Sequence, residues 1–271
     1  MEEVERIIME ENWSAMQEKA VQWIQEAGEL LRASLEESLV IETKSNPNDL
    51  VTEMDFKIER LLTKKINKEY PGHRILGEEE AGADITDTDN IIWIIDPIDG
   101  TTNFVHQQFN FAISLAVFEN GIGKVGIVYD VMADEWFTAL EGKGAYHNNV
   151  KLSKLKPAEL KEAIVGINAR WIKNEKIPYA RQMRNIVDES RSTRAYGSAA
   201  IELCYVACGR LDSYVNLWLA PWDFAGAEVL LREVGADIST IDNKRPSMLE
   251  KGPYLAGRPG LQEKVRGMLN S

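Results

Sequence analysis

Five consecutive apolar residues, Ile91-Ile92-Trp93-Ile94-Ile95, run directly into Asp96-Pro97-Ile98-Asp99-Gly100-Thr101-Thr102-Asn103-Phe104. A short continuous apolar run of this kind reads as a strand covered on both faces, which demands packing elements on either side of its sheet. Proline lacks a backbone donor, so Pro97 is expected to end the strand's ladder just where two carboxylates appear. Gly100 admits close approach of another group to the backbone, and the residues after it read as the start of a short helix. Free N–H groups at such a start attract anions. A phosphate therefore fits the amides of residues 100–103, with Asp96 and Asp99 holding a cation against it.

Seen alone, Asp-x-x-Asp beside a glycine is more often a turn or a helix cap. A second patch changes the balance: Gly77-Glu78-Glu79-Glu80 follows apolar Ile75-Leu76 at another expected strand end. A hard cation such as Mg2+ takes oxygen ligands, keeps some of its waters and commonly combines carboxylates with substrate phosphate oxygens.

The chain has 271 residues, enough for one large domain or two closely packed lobes. Its net charge of −12 argues against nucleic acid as a partner. An acidic protein acting on an anionic substrate needs a local reversal of sign, which bound divalent ions supply. No apolar run reaches the length of a membrane span, and the Glu-rich start, Met1-Glu2-Glu3-Val4-Glu5, is unlike a secretory signal, so a cytoplasmic location is expected. Cys204 and Cys208 share one helix face but lack further Cys or His ligands nearby, and read as core rather than as a zinc site.

Apolar residues at three- and four-residue steps from Met16 to Leu35 predict a long helix over about 13–38. Asn46-Pro47-Asn48-Asp49 marks a turn, after which Thr52 caps a helix with Asp55 in its first turn, stopped by Pro71-Gly72. Asp49 lies outside that helix and is freer to reach a site. Strands are expected over 109–118, 124–129 and 135–140, spaced as an antiparallel meander, and 147–162 is the expected lobe boundary. Beyond it, 163–168 reads as a strand, 176–188 as a helix, Gly197-Ser198 as the entry to a helix running through Cys208, and 211–216 as a strand. Pro221 opens a last amphipathic helix, where Asp223 has a sufficient role beside the helix dipole.

Together, Asp49-Leu50-Val51-Thr52, Gly77-Glu78-Glu79, Trp93 to Phe104 and Trp222-Asp223-Phe224-Ala225-Gly226 closely resemble the inositol monophosphatase family, part of the lithium-sensitive, Mg2+-dependent sugar-phosphatase superfamily. The resemblance runs from about residue 13 to 268. It implies a mixed α/β fold, a layered α/β/α/β/α sandwich forming a single domain over 1–271. Within it, a metal and phosphate lobe would cover about 1–150, and a substrate lobe contributing Asp223 about 151–271. It further implies that Glu78, Asp96, Asp99, Asp223 and the Ile98 carbonyl bind two or three Mg2+ ions, with Mn2+ an alternative and Ca2+ or Li+ inhibitory. Gly100 and Thr101 would meet phosphate through N–H groups, Asp49 and Thr101 would orient or deprotonate the attacking water, and Glu78 would share the base role. Gly197, Ser198 and Ala199 would line the pocket for the alcohol.

The implied partner is a small phosphorylated substrate, the implied assembly a homodimer, with no membrane or nucleic acid involved. One position departs from the pattern. Family members acting on inositol phosphates often carry a glutamate seven residues before the Trp-Asp aspartate, where this chain has Asn216. An amide bonds hydroxyls but loses the charge, which opens the alternatives of NADP(H), 3′-phosphoadenosine 5′-phosphate or fructose 1,6-bisphosphate. A non-catalytic metal-binding partner protein on the same scaffold is the remote alternative.

Overall fold

The computed structural model describes residues 12–36, 39–44, 50–82 and 85–271. Asp49 lies outside them. The apolar stripe of the first helix forms α1, Trp13–Ser34, whose N-terminus is capped by the Asn12 side chain accepting from the Ala15 N–H. It ends earlier than the periodicity predicts, because the Leu35 N–H turns back to the carbonyls of Arg32 and Ala33. Short strands β1, Ile41–Thr43, and β2, Leu50–Thr52, pair antiparallel and lead into α2, Glu53–Glu69. Thr52 and Asp55 form a reciprocal cap there: Thr52 Oγ1 accepts from the Met54 N–H, and Asp55 accepts from the Thr52 N–H.

A seven-stranded sheet follows in the order β3-β4-β5-β6-β7-β8-β9, over β3 Arg74–Gly77, β4 Ile91–Asp99, β5 Ala112–Glu119, β6 Ile122–Asp130, β7 Glu135–Leu140, β8 Gly144–His147 and β9 Val150–Lys151. Strands β5 to β7 are the expected meander, β4, β8 and β9 extend it antiparallel, and β3 adds in parallel. Pro97 does not end β4. Asp96 pairs with Ser114 and Asp99 with Ala112, so three steps on β4 face two on β5. This bulge needs no donor from Pro97, and the strand carries both aspartates past it. β5 starts later than expected because Gln108 and Asn110 have left-handed φ values of 55° and 56°, which hold the chain in a turn. A short helix, α3 Thr101–His106, leaves the end of β4.

The second sheet has the order β11-β10-β12-β14-β13, over β10 Ile164–Ile167, β11 Ser192–Arg194, β12 Ser213–Leu219, β13 Asp237–Thr240 and β14 Gly252–Gly257. Its helices are α4 Ala180–Glu189, α5 Ala199–Cys208, α6 Pro221–Val234 and α7 Leu261–Leu269. α4 begins after Pro178 at Ala180 rather than at 176, since Tyr179 precedes it with a left-handed φ. β12 is displaced from the expected 211–216 to 213–219, feeding directly into α6.

Alternation along β4 explains the layering. Ile92 and Ile94 face one core with α5 and α6, while Trp93 and Ile95 face another with α1 and α2. The five-stranded sheet closes over α5 and α6 with Tyr214, Tyr254 and Ala256, and its opposite face packs on α4 and α7 through Val165, Val215, Met183, Ile186 and Val265. The order is helix, sheet, helix, sheet, helix: the expected α/β/α/β/α sandwich. Cys204 is buried in the middle layer, and Cys208 packs partly buried against it.

Candidate metal centre and active site

Parallel pairing of β3 with β4 sets Gly77 opposite Ile95, so both strands release their acidic residues at one edge, Glu78 next to Asp96. The middle helix brings the third carboxylate. Ser114, the cross-strand partner of Asp96, donates through its hydroxyl to the Trp222 carbonyl at 3.3 Å, which fixes the first turn of α6 over the end of β4. Close packing allows this approach: a Cβ at Gly126 would stand 2.2 Å from the Gly226 carbonyl oxygen. Oxygen atoms of Asp96, Asp99 and Asp223 consequently lie within 4.8 Å of one another.

These three carboxylates differ in what else holds them. Asp99 reaches the N-terminus of α5, where it accepts from the Ser198 hydroxyl, from the Ala199 N–H at 3.2 Å and from the Ala200 N–H at 2.7 Å. Asp223 accepts from the Ala220 N–H at 2.8 Å, a cap added to its expected place beside the helix dipole. Asp96, 1% exposed, accepts from the Ile98 N–H at 3.0 Å. Burial pushes Asp96 and Asp223 well above the usual carboxylate range; the charges of Glu78 and Asp99 add to both, and that of Asp223 adds to Asp96. Burial likewise raises Asp99 to about 6, against the lowering by its three hydrogen bonds. Three hard oxygen donors, crowded and desolvated, with Glu78 acting on all of them, fit a divalent ion such as Mg2+ or Mn2+.

Around the bulge, Gly100 adopts φ 97°, and a Cβ there would meet the Asn110 and Gly197 carbonyl oxygens at 3.2 and 3.3 Å. Only glycine suits this backbone, which brings the loop at Gly197 and Ser198 against the start of α3. Thr101 Oγ1 lies 3.1 Å from the Ile98 carbonyl oxygen and 3.2 Å from Asp55 Oδ1. Asp55 thus joins the helix cap to the site, a second role that its first-turn position did not reveal. Its carboxyl is fully buried and raised to about 6, chiefly by desolvation. The Gly197 loop is held by Glu202, which accepts from the Tyr196 and Gly197 N–H groups at 2.9 and 3.1 Å, and by Asn103, which donates to the Asn110 and Tyr196 carbonyls.

Two further residues escape sequence reading. Glu59 of α2, 1% exposed, accepts from the N–H groups of Glu79, Glu80 and Ala81 at 2.7–2.8 Å and so shapes the loop that carries Glu78. A Cβ at Gly77 would stand 2.4 Å from that carboxylate, which accounts for the glycine. Lys44, after β1, pairs with Glu78 at 2.9 Å and with Glu79 at 2.5 Å. Asn216 lies on β12, but its amide is engaged within its own strand: Nδ2 donates to the Tyr214 hydroxyl at 2.7 Å, and Oδ1 accepts from the Trp218 N–H at 2.9 Å.

The chain matches the model of the inositol monophosphatase family over residues 12–270. The inositol-1-monophosphatase of Bacillus subtilis (strain 168) is 49% identical over 254 residues, 94% of this chain and 96% of that protein. A crystal structure of 2′AMP-bound SaIMPase-II superposes with a TM-score of 0.86 at 40% identity, covering 93% of each chain. A structure of an IMPase/NADP phosphatase complexed with Mg2+ and phosphate gives a TM-score of 0.89 at 28% identity, over 96% of this chain and 97% of the other.

Proposed function

Because the chain belongs to the inositol monophosphatase family, whose members hydrolyse phosphate monoesters, we propose that it acts on inositol monophosphate with divalent metal held by Glu78, Asp96, the Ile98 carbonyl, Asp99 and Asp223. The observation that carries this reading is the convergence of Asp96, Asp99 and Asp223 within 4.8 Å, from a strand end and a helix start 124 positions apart along the chain (223 − 99). In this reading two or three Mg2+ ions serve, and when bound they neutralise the phosphoryl oxygens and make a water nucleophilic at neutral pH. The first half of the chain supplies the metal and phosphate lobe, and the second the substrate lobe with Asp223.

The chain's own groups position the reaction. The N–H groups of Gly100 and Thr101 face phosphate from the start of α3. The Thr101 hydroxyl, able to donate to Asp55 or to the Ile98 carbonyl, keeps a lone pair for a proton of the attacking water. We assign the base to Glu78 and to Asp55, whose Oδ1 stands 3.2 Å from the Thr101 hydroxyl; Asp49, expected to pair with Thr101, lies outside the described residues. Gly197, Ser198 and Ala199 bound the alcohol side, with Ser198 and Ala199 also fixing Asp99.

A second reading is favoured by Asn216. Its acceptor oxygen is engaged by the Trp218 N–H, so it does not reproduce the hydroxyl-accepting carboxylate expected for inositol recognition. Substrates whose alcohol portion is not read by that carboxylate, such as NADP(H), 3′-phosphoadenosine 5′-phosphate or fructose 1,6-bisphosphate, follow from this. Phosphate release from inositol 1-phosphate and these three compounds, with Mg2+ and with EDTA, tests both readings. Mg2+-dependent release strongest from inositol 1-phosphate supports the first; strongest release from a nucleotide or bisphosphate supports the second; none from any overturns both.

A cytoplasmic homodimer inhibited by Li+ and by Ca2+ completes the proposal, on the family resemblance. Light scattering after size exclusion and a Li+ titration test it. No helix among the described residues is long and apolar enough to cross a membrane.

A further inference from the structure

Lys44 is a cation built into the edge of an otherwise acidic cluster. The strand before it contributes almost nothing to the core, since Ile41, Glu42 and Thr43 are all exposed. Lys44 itself turns inward, and its side chain is only 25% exposed. Its Nζ stands 2.9 Å from Glu78 Oε1 and 2.5 Å from Glu79 Oε1. Glu79 is a fixed partner: its side chain is 3% exposed, and its own N–H donates to the buried Glu59 carboxylate. Lys44 is therefore held by one carboxylate that belongs to the loop framework and by one that belongs to the metal site.

We propose that Lys44 is a tethered counter-cation which competes with a divalent ion for Glu78 and so sets how tightly the acidic cluster holds metal. This rests on the metal-site reading above. Glu78 Oε1 meets the ammonium directly, so a divalent ion drawing on the same carboxylate weakens that pair and also repels the lysine charge. Glu79 remains beside Lys44 and keeps it charged and anchored when Glu78 turns to the ion. The β1 end of the β1–β2 pair is thereby coupled to metal occupancy through the Lys44 side chain. The opposing expectation is that Lys44 holds Glu78 in place and assists binding. The two predict changes of opposite sign when the charge is removed.

Calorimetric titration of Mg2+ into wild type, Lys44→Met, Lys44→Gln and Lys44→Arg separates them, with thermal unfolding in EDTA and in Mg2+ as a second readout. Competition predicts that Lys44→Met and Lys44→Gln bind Mg2+ about tenfold more tightly, the scale of one lost hydrogen bond between charged groups. Their melting temperature falls in EDTA, because Glu78 and Glu79 lose their counter-charge, and their gain on adding Mg2+ exceeds that of wild type. Lys44→Arg keeps the charge and behaves as wild type. Unchanged or weaker Mg2+ binding by both neutral variants, with Mg2+ still bound by wild type, overturns the Lys44 proposal alone. Absence of Mg2+ binding by wild type overturns the metal-site reading and this proposal with it.

Discussion

Asp96 at the bulge of β4 and Asp99 three residues on join the same acidic cluster, yet the fold holds them in different ways. Asp99 is bound by one hydroxyl and two N–H groups at the start of α5, joining the two halves of the chain. Asp96 accepts one local N–H, from Ile98, and is otherwise surrounded by burial and by like charge. Asp99 is both a structural bond and a ligand candidate, whereas the Asp96 carboxylate is a destabilising charge that a bound metal or a proton compensates. A carboxylate that burdens the fold in this way points to ligand binding more sharply than one with a helix to cap.

Substitutions sharpen that contrast. Asp96→Asn is expected to lower phosphate release by about 10³-fold or more and to weaken Mg2+ binding, since a metal ligand is lost. Its unfolding free energy in EDTA should stay at or above that of wild type, because a buried charge is removed. Unchanged activity in this variant breaks the assignment. Asp99→Asn also loses activity, but in EDTA it should unfold more easily by about 2–4 kcal/mol, as donors at α5 lose a charged acceptor. Equal urea midpoints for the two variants in EDTA would erase the distinction.

Thr101→Ala is expected to slow turnover by about 10²-fold with metal affinity nearly unchanged, because it removes a positioning hydroxyl rather than a ligand. Loss of metal with an unchanged rate per loaded enzyme contradicts that role. A smaller effect concerns pH. Burial raises Asp55 and Asp99 to about 6, and Glu202 to about 7, so the folded protein retains protons that the unfolded chain has already released. Stability of the ion-free protein therefore falls as pH rises from about 4 through about 7, since the folded state binds more protons across that window. Mg2+ displaces the protons held by its own ligands, Asp99 among them, so its stabilisation grows with pH. Melting curves in EDTA and Mg2+ across that range check both signs.

Much of the acidic cluster is legible in the sequence. The apolar run into Asp96 and Asp99 and the Glu78 patch each mark a chain segment, and the meander spacing anticipated β5 to β7, whereas Asp223 has a complete local role at its helix start and joins them only through the family resemblance. The bulge that carries β4 past Pro97 was not legible, because it depends on which residue of β5 stands opposite. Glu59 reads in sequence as one polar residue of an amphipathic helix, and only the returning loop of residues 79–81 gives it three donors. Asp55 has a complete local explanation as a cap, which conceals its contact with Thr101. Lys44 belongs to no pattern. The order of the five-stranded sheet follows from pairings between distant segments, which local periodicity does not encode.

The central claim is that these separated carboxylates form one divalent-ion site, and anomalous diffraction from crystals grown with Mn2+ tests it most directly. The account predicts anomalous peaks bounded by Asp96, Asp99, Asp223 and Glu78. Crystals with no peak at that cluster, or with Mn2+ bound only elsewhere on the protein, would contradict it.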